Sequence, residues 1–210
     1  MKTVLCFGDS NTHGQIPGKD GGRYEKEIRW PGVLKSMLGD SFDVIEEGLG
    51  GRTTVFEDPI EEDKSGKAYL QQCLHSHKPI DLIIVMLGTN DLKIRFGLTA
   101  YDVSLGLETL VKKMQDEAFG ADGRTPQILI IAPAPMREAP LSVALMGKEG
   151  VEKSRLLAGY YKQVAQTLGA WFLDAGQFVE VSEIDGIHYT PEAHYNLARA
   201  IEEKIDEMQL

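Results

Sequence analysis

The run Leu82-Ile83-Ile84-Val85-Met86-Leu87 places six apolar side chains in a row with no polar residue among them. A strand with one face in water alternates apolar and polar residues, so this run must be buried on both faces, as a central parallel strand or as buried helix. Its shortness and the Gly88 that follows favour a strand. It belongs to a series of short runs rich in Val, Ile, Leu and Phe: Thr3 to Phe7, Asp43 to Glu47, Asp81 to Leu87, Ile128 to Ala132 and Ala170 to Leu173. Helical patterns lie between them. Ala100 to Ala118 spaces Val103, Leu107, Leu110, Val111 and Met114 by threes and fours, with Thr99 as N-cap. Thr190-Pro191 opens a last helix with the stripe Leu197, Ile201, Ile205 and Met208, and Glu149 to Leu168 reads as another helix with Val151, Leu156, Leu157, Tyr160, Val164 and Leu168 apolar. Strands alternating with helices in this way predict an α/β fold on a parallel sheet, and the length of 210 residues predicts one domain over 1–210.

Two stretches lack a regular pattern, Gln15 to Ile28 and Pro133 to Lys148. The second follows a strand end, which makes it a candidate wall for a pocket. The 22 basic and 32 acidic residues give a formal charge of −10, which excludes a protein built to coat nucleic acid or an anionic membrane. No apolar stretch reaches the roughly 18 residues of a membrane span. The first apolar run is also shorter than a signal peptide's hydrophobic region, so the cytoplasm is the expected compartment. Cys6 and Cys73 lie in apolar stretches and read as buried thiols; neither has metal or redox spacing.

In an open α/β sheet ligands bind beyond the carboxyl ends of the strands, so the segments that follow the strands matter most. These are Gly8-Asp9-Ser10-Asn11-Thr12-His13-Gly14, Gly48-Leu49-Gly50-Gly51-Arg52-Thr53-Thr54 and Gly88-Thr89-Asn90-Asp91, with Asp185-Gly186-Ile187-His188 ahead of the last helix. A serine after a strand is often only a helix cap. A nucleophilic hydroxyl needs a base and a group that orients the base. Asp185 and His188, three residues apart, can supply both within one turn. An oxyanion would need donors, which the Asn90 amide, a backbone N–H of Gly50-Gly51 and the Ser10 N–H could provide. Asn90 could equally be a turn residue, and the paired glycines a phosphate nest. Asp9, Gly50 and Ile187 stand beside these groups as candidate substrate contacts. His13 competes as base, but lacks an evident carboxylate. His75 and His77 read as helix C-terminal residues, Arg52 as a partner for an acid, and Trp30 and Trp171 as core or interface.

Together the four segments resemble the blocks of the SGNH (GDSL-type) hydrolases, a superfamily of serine esterases and lipases, and within it the bacterial arylesterase and acyltransferase branch. The resemblance implies a three-layer α/β/α sandwich of flavodoxin-like kind around a five-stranded parallel sheet. It implies Ser10 as nucleophile, His188 as base and Asp185 as its partner, with Ser10, Gly51 and Asn90 forming the oxyanion hole. It also implies a small-molecule ester substrate, acetyl-type acyl groups, no metal or organic cofactor, and a homo-oligomer. Three positions depart from the family pattern. Asn11 and His13 stand where Leu and an aromatic residue are usual, which would make the pocket more polar, and Gly50 stands where Ser is common. The competing activities on the same residues are a thioesterase, a lysophospholipase or a carbohydrate deacetylase. Outside catalysis, the glycine loops would suit a phosphate- or flavin-binding module.

Overall fold

The computed structural model describes residues 1–19, 21–116, 120 and 123–210. All five predicted runs are strands: β1 (Lys2–Gly8), β2 (Phe42–Gly48), β3 (Leu82–Met86), β4 (Gln127–Ala132) and β5 (Trp171–Asp174). They form one parallel sheet in the order β2-β1-β3-β4-β5. Alternate side chains of a strand leave by opposite faces, and this sheet is covered on both. Leu5 and Phe7 of β1 join Ile83 and Val85 of β3 in one core, while Val4 and Cys6 join Leu82, Ile84 and Met86 in the other. The helices over the first core are α3 (Gly66–His77), α4 (Ala100–Gln115) and α6 (Leu157–Leu168), and those over the second are α2 (Trp30–Leu38) and α7 (Pro191–Glu207). The result is the expected three-layer α/β/α sandwich.

Local signals set most helix ends. Thr99 Oγ1 accepts the Asp102 N–H at 3.1 Å and Asp102 Oδ2 accepts the Thr99 N–H at 2.9 Å, a reciprocal cap on α4. Thr190 caps α7 ahead of Pro191, as predicted. The end predicted for the α4 pattern, Ala118, lies outside the described residues.

Three expectations need correction. The helix predicted over Glu149 to Leu168 is two helices, α5 (Pro140–Ser154) and α6, and Leu156 sits at their junction with more than half its surface exposed. The predicted irregular stretch Pro133 to Lys148 is irregular only as far as Ala139, because Pro140 opens α5 at a position that needs no N–H donor. Gly147, at φ +65°, then interrupts that helix, which is why its apolar spacing does not read as continuous. Finally, α2 has no counterpart among the predicted helices, since Pro31 and Gly32 fill its first turn.

The strand order reverses between β1 and β3, and the crevice outside their carboxyl ends is where such sheets hold ligands. Ser10, Gly50-Gly51 and Asn90 follow β1, β2 and β3 at that edge.

Candidate active site

β1 runs straight into α1, a single turn over Ser10–His13. Asp9 is its N-cap and accepts the Asn11 N–H at 3.0 Å, so Ser10 is the first helical residue. Across the crevice, His188 Nε2 lies 3.1 Å from Ser10 Oγ, and His188 Nδ1 lies 2.8 Å from Asp185 Oδ2. With the carboxylate accepting from Nδ1–H, Nε2 is left to accept from the serine hydroxyl. The predicted three residues therefore converge.

The turn that carries the imidazole is built locally. Asp185 Oδ1 accepts the Ile187 and His188 N–H groups, each at 3.0 Å, and Oδ2 also accepts the Gly18 N–H at 3.0 Å. Burial would raise the Asp185 carboxyl, but the His188 ring and these backbone donors outweigh it and hold the group well below the ordinary carboxylate range. Gly186 has φ +75°, and a Cβ there would stand 2.2 Å from Arg137 O, so only glycine fits. Asn11 closes the arrangement. Its Nδ2 donates to Ile187 O and its Oδ1 accepts the Tyr189 N–H, both at 3.1 Å, one on either side of His188. The pocket-polarising role expected for Asn11 is thus replaced by a buried clamp on the segment that carries His188.

The donor side is assembled from three loops. Asn90 Nδ2 donates to Arg52 O at 3.1 Å, which orients the amide and leaves its second proton free. Asp91 accepts the Thr54 N–H at 3.0 Å and 3.1 Å, tying the loop after β3 to the loop after β2. Gly51 has φ +81° at the tip of the second loop. Among the described residues no protein acceptor takes the Gly51 or Ser10 N–H. Arg52, expected to pair with an acid, instead donates to the carbonyls of Gly8 (2.9 Å) and Glu47, with its guanidinium 4.3 Å over the Phe7 ring. It is a buttress beneath the loop, because buried carbonyls there need a donor.

A cavity of about 620 Å³ joins Ser10, Gly50, Gly51, Asn90, Asp185, Ile187 and His188. One wall is apolar (Leu141, Leu145 and Met146 of α5), and another is polar, with Gln15, Lys19, Glu61 and Lys93. Both stretches that lacked a sequence pattern thus contribute walls. Gly50 and Ile187 fall where expected. Asp9 does not: it is buried beneath the cavity, its Oδ2 has no partner among the described residues, and burial pushes its carboxyl up to about 6 despite the Asn11 N–H, His188 and Arg52. His13 is also outside the cavity wall. Burial and the nearby Arg23 hold its imidazole below its ordinary value, and it does not meet Ser10.

A second cavity of about 610 Å³ opens near Glu47, Arg52 and Tyr69, and none of Ser10, Asp185 and His188 lines it. Beside it, Glu47, Cys73 and His77 bring one donor atom each within 4.8 Å, a grouping invisible in their spacing along the chain. Burial, with the Glu47 charge, pushes the Cys73 thiol up to about 12, and His77 Nε2 pairs with Glu47 Oε1 at 2.8 Å. The thiol thus lies protonated beside a hydrogen-bonded pair. His77 therefore bonds to β2 and not to its own helix end. Trp30 is fully buried, whereas Trp171 is partly exposed and donates to Gln127 Oε1 at 3.0 Å.

Comparison with known proteins bears on the chain as a whole. The model of the GDSL-like lipase/acylhydrolase family matches residues 6–195. The crystal structure of Est24, a carbohydrate acetylesterase from Sinorhizobium meliloti, is 40% identical, is covered over 100% of its length by 99% of this chain, and has a TM-score of 0.94. The native aryl esterase of M. smegmatis is 38% identical over 99% of each chain, with a TM-score of 0.92. A curated relative, the uncharacterized lipoprotein YqeF of Bacillus subtilis, is 32% identical over 91 residues, which is 43% of this chain and 32% of that protein. The chain thus spans about a third of this relative's length. No helix among the described residues is long and apolar enough to cross a membrane.

Proposed function

Because the chain belongs to the GDSL-like lipase/acylhydrolase family, we propose that it is a serine ester hydrolase that cleaves small acyl esters of acetyl type through an acyl-enzyme on Ser10. The observation that carries the reading is the relay Asp185–His188–Ser10, at 2.8 Å and 3.1 Å, opening into the cavity that also holds Gly51 and Asn90. Ser10 Oγ attacks the ester carbonyl while His188 Nε2 takes its proton, and Asp185 stabilises the imidazolium. The Ser10 and Gly51 N–H groups and the Asn90 amide receive the charge that develops on the carbonyl oxygen. His188 then protonates the departing alcohol. Water activated by the same imidazole releases the acid; an alcohol or peroxide in its place would give acyl transfer or perhydrolysis.

The names of the two similar structures, a carbohydrate acetylesterase and an aryl esterase, support short acyl groups with a variable alcohol. The polar wall of Gln15, Lys19, Glu61 and Lys93 favours hydroxylated alcohols, and hence acetylated sugars, over lysophospholipids. A cytoplasmic setting and self-association complete the reading; fractionation and sedimentation test them. For the chemistry, hydrolysis of p-nitrophenyl acetate by the wild type, Ser10→Ala and His188→Ala is the test. Each substitution is expected to lower kcat by about 10⁴ or more with the fold intact. Undiminished hydrolysis in Ser10→Ala would overturn the reading.

A further inference from the structure

Gly50 and Gly51 occupy the centre of a turn that the Arg52 N–H closes onto Leu49 O at 3.1 Å. The φ of +81° at Gly51 is that of the third residue of a type II turn, about +80°. In such a turn the central peptide, here Gly50 C=O with Gly51 N–H, can rotate by half a turn into the type I form while the ends stay in place. A side chain at the third position would bias that choice, and glycine does not. Rotation would carry the Gly51 N–H from one face of the loop to the other. With two glycines in the turn, this chain has left the orientation of a candidate oxyanion donor to something outside the loop.

Lys64 meets that need. Its Nζ donates to Gly50 O at 2.9 Å, and its stem crosses Gly51, where an added Cβ would lie 3.2 Å from Lys64 Cε. The lysine is itself anchored, since Lys64 O accepts the Thr53 N–H at 2.9 Å and Ser65 bridges to Thr53. Thus Lys64 is stitched to the oxyanion loop by its backbone and holds the loop's central carbonyl with its side chain. In a trans peptide the N–H points opposite to the C=O. Holding Gly50 O against Lys64 therefore turns the Gly51 N–H to the other side of the peptide. Gly51 itself lines the cavity with Ser10, Asn90 and His188. A charged donor on the carbonyl also polarises the peptide and strengthens its N–H as a donor.

We infer that Lys64 is a positioning residue that locks the Gly50–Gly51 peptide with its N–H presented to the oxyanion. This rests on the esterase reading above. Losing a whole oxyanion donor costs on the order of 10²–10³ in kcat, and losing only its orientation should cost about tenfold.

The test compares the wild type, Lys64→Met, Lys64→Arg and Ser10→Ala on p-nitrophenyl acetate. It also measures the affinity of each for a boronic acid that forms a tetrahedral adduct on serine, and the Tm. Lys64→Met is expected to lower kcat about tenfold and to weaken the boronate by a similar factor, with KM within about twofold and Tm nearly unchanged. Lys64→Arg should recover most of the loss. Unchanged kcat and boronate affinity in Lys64→Met, alongside an inactive Ser10→Ala, would overturn the clamp and leave the esterase reading standing. A raised KM at constant kcat would make Lys64 a substrate contact and overturn the clamp as well. Full activity in Ser10→Ala would remove the esterase reading, and the clamp with it.

Discussion

The two arms of the proposed esterase site are held in place by different means. The acid–base arm is almost self-contained: Asp185 accepts the Ile187 and His188 N–H groups and then holds the His188 ring, so four consecutive residues set most of the geometry. The donor arm has no such economy. Gly51 depends on a turn between Leu49 and Arg52, Asn90 on the Arg52 carbonyl, Arg52 on Gly8 and Glu47, and Gly50 on Lys64. A proton relay needs one imidazole aimed along a line, which a short turn can do. An oxyanion hole needs several donors converging on one point, which only tertiary structure supplies.

Breaking the acid–base arm should have the largest effect. In Asp185→Asn the amide can still accept from Ile187 and His188 through its oxygen. Its NH₂ would then face His188 Nδ1 and the Gly18 N–H, where Oδ2 now accepts both. The imidazole would be driven to the tautomer that cannot take the Ser10 proton, and kcat should fall about 10⁴-fold. Steady-state kinetics on an activated acetate ester measures this, and a loss below tenfold would show that Asp185 does not set the tautomer. Breaking the donor arm should cost less, because its donors share the load. Asn90→Ala should lower kcat by about 10²–10³ with little change in KM. If KM rose while kcat held, Asn90 would be binding the ground state, and the contrast between the arms would lose its kinetic meaning.

The same contrast explains what was legible in the sequence. Asp185-X-X-His188 could be read directly because its geometry is local, and the five strands could be read because burial on both faces leaves unbroken apolar runs. Ser10, Gly51 and Asn90 were legible as residue types at strand ends, where parallel sheets put their ligands. The role of Asn11 is not legible in the sequence, because its partners, Ile187 and Tyr189, lie at the other end of the chain. Lys64 carried no signal at all: nothing in Asp63-Lys64-Ser65 points to Gly50 until the Thr53–Ser65 bridge folds the segment back. Adjacency to Ser10 suggests a pocket position for Asp9, but an N-cap at a strand end points its carboxylate into the turn beneath.

Two carboxyls at this site sharpen the comparison further, because they move in opposite directions for identifiable reasons. Asp185 is saturated with donors and held low, so its contribution to stability is present in full above the ordinary carboxylate range and is lost progressively as pH falls from that range through its depressed folded value. Asp9 is buried with one oxygen unpartnered and is raised from 3.8 to about 6. Between those values the folded state binds more protons than the unfolded chain, so stability falls as pH rises through the window, and above it the cost is complete, on the order of 1–3 kcal/mol. Asp9→Asn keeps an oxygen for the Asn11 N–H and removes the buried charge. Its Tm should therefore decline less than the wild type's between about pH 4 and pH 7. Some decline should remain, because burial raises Asp91 to about 6 as well, against its Thr54 hydrogen bonds. Thermal unfolding of both proteins across that range gives the answer. Parallel curves would mean that Asp9 titrates alike in the folded and unfolded chain, and that the oxygen left without a protein partner is solvated in the fold after all.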